Sequence, residues 1–185
     1  MSARRRTSPA RAGSTQPREP ADLIVTVMNA PKGLLGDIRD AAVATLTSQR
    51  YARGRVHITI IGDAEMKRQH FRWMNDGTTT DVLTFDLRDE PIGRRVDGEI
   101  LVCLPEARRA AREHGGDWRA ELLLYVVHGC LHLCGHDDHS AAEYKRMHAA
   151  EDRILAKLGW GAVFSSGETG RRPSKRRGGR REGAK

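Results

Sequence analysis

No stretch of 18 or more apolar residues occurs anywhere in the chain, so nothing in it has the length and hydropathy of a membrane-crossing helix. The first 20 residues, MSARRRTSPARAGSTQPREP, carry charge but lead into no short apolar core of the kind a secretory leader requires. Both absences point to a soluble, cytoplasmic protein that does not engage a membrane. Cysteine is scarce too. Cys103, Cys130 and Cys134 cannot all pair, and no CxxC spacing marks a zinc ribbon or a redox dithiol, so all three read as reduced thiols. There is no internal repeat, and 185 residues suit one domain with a core of its own better than two.

The formal charge of +8 invites a nucleic-acid reading, which makes its location decisive. Residues 1–20 hold five arginines against Glu19, and residues 165–185 hold eight Lys or Arg against Glu168 and Glu182. The ends therefore carry +4 and +6, which leaves −2 for residues 21–164. Basic, Gly/Ser/Pro-containing ends of this composition read as solvated, disordered tails, with a second use as arms that contact RNA phosphates through counterion release. The expected organisation is a tail over 1–20, a single domain over 21–164 and a tail over 165–185.

Within the domain, element types alternate. Asp22–Asn29 and Val56–Gly62 are rich in β-branched residues and bounded by breakers, which predicts strands; Gly36–Arg50 between them spaces Ile38, Ala41, Ala42 and Leu46 as a helix does. Asp63 is expected to cap a helix with Met66, His70, Trp73 and Met74 along one side. Asp81–Leu87 and Glu99–Leu104 predict an antiparallel pair of strands. Pro105 suits a first helical position, Glu106–His114 continues that helix, and Gly115-Gly116 stops it. Asp117 then caps WRAELLLYVVHGCLHLC, which Gly135 ends. Because Leu122–Val127 is apolar all round, this helix should run through the middle of the domain. Ser140 with Glu143 forms a capping box for a last helix striped by Tyr144, Met147, Ile154, Leu155 and Leu158 and closed by Gly159. Four strands and about five helices make a mixed α/β (α+β) class, with a small, largely buried sheet backed by helices.

The chemistry concentrates at His128–His139, HGCLHLCGHDDH. At about 100° per residue, His128 and His132 stand about 40° apart on the helix surface, so both imidazoles can converge on one ion. Cys130 and Cys134 fall on the far side and read as small buried hydrophobes. Gly135 can take the left-handed conformation that folds the following chain back over the histidine face. The HxxxHxxGxxH spacing of helix-borne catalytic zinc sites then leads to Asp138, with His139 one place beyond as the alternative third ligand. His136 and Asp137 are placed to orient ligands from behind. The plain alternative is that His128 and His132 are ordinary residues at a helix end, but so many imidazoles and carboxylates after a fully apolar helix are costly to bury without an ion. One Zn2+ at the C-terminal end of the buried central helix is the expected cofactor; nickel, iron or manganese also suit such donors. The metalloprotease base, the Glu of H-E-x-x-H, is replaced by Gly129. What remains is metal-assisted hydrolysis, with the bond type open.

These residues resemble a known family. HGCLHLCGHDD looks like the H-G-x-L-H-L-x-G-x-D-H signature of the YbeY family of bacterial endoribonucleases, the rRNA maturation factors. Thr80–Phe85 (TDVLTF) resembles its T-D-V-L-S-F strand, and Gly98–Cys103 (GEILVC) its G-D-I-x-I-S strand. The resemblance covers about residues 22–160. It implies a four-stranded mixed sheet with helices around it and a zinc-dependent, single-strand-specific endoribonuclease of small-subunit rRNA maturation and ribosome quality control. Single-stranded RNA, rRNA and the small ribosomal subunit would be the partners. His128 and His132 carry over as ligands. The family's third histidine falls at Asp138, so either Asp substitutes or His139 moves in. Many members also place an arginine after an aromatic residue ahead of the TDVLSF strand; here that position is Met74, after Trp73, and Arg72 is the candidate for the phosphate-facing charge.

Attack on phosphorus by water at the zinc or by the RNA's own 2′-hydroxyl would both suit such a site. Asp137 is the candidate general base by proximity, beside its reading as an orienting residue. Two other functions use the same residues: a metallopeptidase-like amide hydrolase, and a non-enzymatic ribosome-binding protein whose metal staples the helix end while the tails hold rRNA.

Overall fold

The computed structural model describes residues 22–90 and 93–161; both basic tails lie outside the described residues. The described elements run β1 (Leu23–Met28), α1 (Leu35–Ser48), β2 (Arg53–Ile61), α2 (Asp63–Met74), β3 (Val82–Asp86), β4 (Arg95–Cys103), α3 (Leu104–His114), α4 (Trp118–Leu133) and α5 (Ala141–Lys157). The strands form one mixed sheet in the order β1-β2-β4-β3. β1 and β4 both run parallel to β2, with Val25 opposite Val56 and Ile58 opposite Ile100. β3 returns antiparallel on β4, pairing Thr84 with Ile100.

Alternation along the strands decides which face is covered. Val25 of β1, Val56, Ile58 and Ile60 of β2, and Val96, Ile100 and Val102 of β4 join one core with α1, α4 and α5. The opposite face is less buried than the sequence suggests: Arg53, Arg55 and His57 are exposed, and Ile24 and Met28 stand at the open edge. α2 covers only one corner of it, setting Met66 against Leu83, Leu101 and Cys103. Trp73 and Met74, expected beside Met66, are exposed at 56% and 62%; Trp73 only meets the ring of Phe85 on the edge strand β3, with centroids 5.4 Å apart. Asp63 does not cap this helix either. Gly62 occupies the cap position, and the Asp63 carboxylate pairs with both terminal nitrogens of Arg109 on α3 at 2.7 and 2.8 Å.

α4 is buried over most of its length, from Ala120 to Leu133. It packs on β3 and β4 beneath, on α1 and α3 at its sides, and on α5 above. Its start is as expected, with the Asp117 side chain accepting from the Arg119 backbone N–H at 2.9 Å. Its end is a Schellman turn: Gly135 N–H donates to His132 O and His136 N–H to Leu131 O, with Gly135 at φ +86°. Arg88, from the segment after β3, donates to Leu133 O at 3.1 Å and meets a further terminal carbonyl. α5 opens on the expected capping box between Ser140 and Glu143.

Close approach of α4 to the sheet is set by Gly129, where a Cβ would lie 2.8 Å from Ile100 Cγ2 and 3.0 Å from Thr84 Oγ1. Gly129→Ala ordinarily gains about 1 kcal/mol in a helix. Here the β-branched Ile100, held in a strand, cannot yield cheaply, and overpacking of this kind costs about 1–3 kcal/mol. The variant is expected to be less stable than wild type in urea denaturation; greater stability would place the helix farther from the sheet. A second expectation concerns acid. Hydrogen bonds from Arg109 outweigh burial and hold the Asp63 carboxyl down at about 2, below its ordinary 3.8. A group whose folded pKa lies below its unfolded value stabilises above the unfolded pKa, and that contribution fades as pH falls through the folded one. The Tm gap between wild type and Asp63→Asn should therefore be modest at neutral pH, since the pair is part-exposed. It should narrow between pH 4 and about 2 in thermal scans.

Candidate metal centre

The last turn of α4 carries His128 and His132 on the side that faces α5 and the turn beyond Gly135. Their rings meet edge to face with centroids 4.6 Å apart, and the two Nε2 atoms are 3.0 Å from each other. Each Nδ1 is already engaged: His128 donates to Glu151 Oε1 at 2.7 Å and His132 to the His136 carbonyl at 3.0 Å. Acceptors on both Nδ1 positions require the proton to sit there, which turns both Nε2 lone pairs toward one point. Two lone pairs so close repel unless a proton or a cation lies between them.

The Schellman turn supplies the third donor. It returns the chain over the histidine face, so that one atom each of His128, His132 and Asp138 lie within 4.8 Å of one another. His139 is not in that group. Its side chain is 74% exposed, with Nδ1 turned to Asp137 and only 3.6 Å from Asp138 Oδ1. Asp137, Asp138 and His139 form a second, more exposed cluster of potential donors. Two imidazole nitrogens freed for coordination and a carboxylate are a donor set that could hold a metal ion, and catalytic zinc sites use three protein ligands of these kinds. The residues present fit the metal that the spacing implies.

Asp137 spends Oδ1 on the turn, accepting from the Asp138 N–H at 2.7 Å and from His139. Burial works against it, but these bonds prevail and pull its carboxyl below the usual range. His136 orients His132 through its backbone carbonyl, while its ring bonds Gln49 at the end of α1 at 2.9 Å. Arg72 is exposed on α2, with its guanidinium 5.3 Å from the centroid of the Trp73 ring, and has no bond to the histidines or aspartates of the cluster. Cys130 is fully buried, as expected; Cys134 is half-buried and lines a cavity of about 210 Å³ with Gly135, His136, Asp137, Glu143 and Arg146.

Sequence reasoning missed Glu151. Its side chain has no exposure, and its two oxygens go to two rings, Oε1 to His128 and Oε2 to His148 on its own helix. A bare carboxylate in such a place would cost on the order of several kcal/mol. Burial alone would raise its pKa; the two imidazole bonds reverse that and hold the carboxyl well below its ordinary value. Burial would likewise lower His128, but Glu151 outweighs it and the ring titrates above its usual value. His132 has no such carboxylate, and burial, followed by the charge of His128, takes it down. The signal was present: Glu151 interrupts the stripe of Met147, Ile154 and Leu155 with a charge on the buried face of α5.

Residues 27–159 match the family model described as Endoribonuclease YbeY. The chain is similar to the Endoribonuclease YbeY of Endomicrobium trichonymphae, 28% identical over 135 residues, which is 73% of this chain and 93% of that protein. It is 32% identical over 123 residues to that of Pseudomonas entomophila, covering 65% of this chain and 78% of that one. Against the Endoribonuclease YbeY of Myxococcus xanthus it is 34% identical over 105 residues, 55% of this chain but only 36% of that longer protein. Among solved structures it resembles the solution structure of TM1509 from Thermotoga maritima, with a TM-score of 0.54 and 25% identity over 82% of this chain and 99% of that one.

The two candidates for third ligand are separable by metal analysis. Asp138→Ala is expected to lose most bound zinc by elemental analysis after chelator wash, and His139→Ala to keep it; the reverse pattern would transfer the role.

Proposed function

The chain belongs to the YbeY family, and from that membership we propose that it is a zinc-dependent, single-strand-specific endoribonuclease that matures small-subunit rRNA and takes part in ribosome quality control. The observation that carries the reading is the pair of Nε2 atoms 3.0 Å apart with the Asp138 carboxylate beside them. His128, His132 and Asp138 would hold one Zn2+. When bound, zinc at such a site acidifies water and neutralises charge that develops on a phosphoryl oxygen.

The chain's own residues do the rest. The His136 carbonyl keeps a proton on Nδ1 of His132, so that this donor is set before substrate arrives. The Schellman turn brings the Asp138 carboxylate in from outside the helix. Asp137, one residue from that ligand, is the nearest unligated carboxylate in sequence and is our candidate for moving a proton to or from the attacking or leaving oxygen. Arg72 is the candidate for a substrate phosphate, reached when RNA lies across the end of α2. The basic tails would add affinity for rRNA without sequence preference, and the small ribosomal subunit is the expected partner. A soluble protein of the cytoplasm fits these partners, and no described helix is long and apolar enough to cross a membrane.

The amide-hydrolase alternative needs a base at position 129, where a Cβ already collides with Ile100. A binding protein without turnover needs only the metal staple and the tails. One comparison separates all three: zinc-loaded wild type, His128→Ala and a chain lacking residues 165–185, each given single-stranded RNA, duplex RNA and casein. Several kcal/mol of charge stabilisation corresponds to a loss of about 100-fold or more in the histidine variant. Single-stranded RNA should be cut by wild type and by the shortened chain, and hardly by His128→Ala. Cleavage of casein, or RNA binding without products, would overturn the reading.

A further inference from the structure

Nothing in the spacing of the two ligand histidines calls for a carboxylate on α5. Yet Glu151 is fully buried and its oxygens reach two imidazoles, one of them His128 at 2.7 Å. A leucine or methionine there would complete the stripe of Met147, Ile154 and Leu155, and exchanging a whole buried charged cluster for apolar groups of similar size is often neutral or stabilising. A purely structural role would be served as well by apolar side chains in place of His128, His148 and Glu151 together. The charge points to another duty.

We infer that Glu151, held from behind by His148, is a positioning residue for the metal centre: it fixes His128 as the Nδ1–H tautomer and aims its Nε2 at the point shared with His132. This rests on the metal reading above. A carboxylate with one anchored oxygen and one on the ligand cannot swing away, and His148 provides that anchor. The His148 ring is itself held, edge-on to Tyr144 at 4.1 Å and within 19° of parallel to His128 at 6.3 Å. It is buried beneath the ligand ring and turns its Nδ1 to Glu151. The two ligands are thus supported unequally. His132 leans on a carbonyl of its own turn, and His128 on a charged side chain from another helix. Partners that orient a metal-bound histidine typically change affinity by about 10–100-fold when removed.

The test uses the full chain. Zinc affinity is measured by competition with a chromophoric chelator for wild type, Glu151→Gln, Glu151→Met, His148→Phe and His132→Ala. The protonated ring nitrogen of His128 is identified by long-range ¹H–¹⁵N NMR in metal-free wild type and the two Glu151 variants. Both Glu151 variants should bind zinc about 10–100-fold more weakly. Glu151→Met takes the acceptor from the Nδ1 atoms of His128 and His148, so it should melt lower than wild type without metal, and its His128 should no longer be held as the Nδ1–H form. His148→Phe keeps the ring packing and removes the anchor, so it should lose less, within about tenfold. Wild-type affinity in Glu151→Met, or an unchanged nitrogen pattern, would overturn the inference while leaving the metal site intact. Should Met at 151 fail to fold, the isosteric Gln variant decides the matter by the same two measurements. If wild type and His132→Ala bind zinc equally, it is the metal reading that falls, and the nitrogen pattern still decides what Glu151 does to His128.

Discussion

A helix with no wet side has to be covered on every side, and that constraint organises this molecule. Leu122–Val127 offers water nothing to solvate, so the sheet lies beneath α4, α1 and α3 lie along its flanks, and α5 closes the top. His128 and His132 make one part-buried polar stripe on turns whose other side, Cys130, Leu131 and Leu133, stays buried, and the elements recruited to cover the greasy turns also deliver Glu151, Gln49 and Arg88 to the polar end. Packing and site are consequences of one stretch of sequence.

Charge at the site follows from position as much as from composition. The buried carboxylate is tolerable because two rings share it; of the two histidines on α4, His128, which it bonds, is favoured in its charged form, while burial takes His132, which has no carboxylate hydrogen-bonded to it, the other way. That inequality arises although the two histidines are four residues apart on one helix. It comes from the different elements that reach each of them: α5 for one, the chain's own turn for the other.

The parts of the fold that could be read from the sequence were those with local causes. Asp117, Gly135 and the Ser140–Glu143 box bound their helices where expected, because each cap is made within a few residues of itself. The errors lie where distant pairing decides. β2 begins at Arg53 and β4 at Arg95, earlier than their apolar cores suggest, because Arg53 and Arg95 pair with each other across the sheet. Asp63 had the composition of a cap but was claimed by Arg109, 46 residues away. The site divides in the same way. His128, His132 and Asp138 were legible as a spacing, and their donors do come together. Glu151 was legible only as a charge in an apolar stripe, and nothing local links it to a histidine 23 residues upstream. Which of Asp138 and His139 faces the histidines depended on the direction in which the turn leaves the helix, a matter of backbone geometry rather than composition.

The Schellman turn has one more implication. Because it folds the third donor back at once, the whole proposed ligand set fits within eleven residues, from His128 to Asp138. Closing so short a loop costs little entropy even in a denatured chain. Whatever affinity the unstructured polypeptide keeps for the ion is subtracted from the stabilisation that the ion gives the native state. An ion clasped so locally should raise the melting temperature less than its binding constant suggests, and occupancy alone would be a poor gauge of whether the surrounding scaffold is intact.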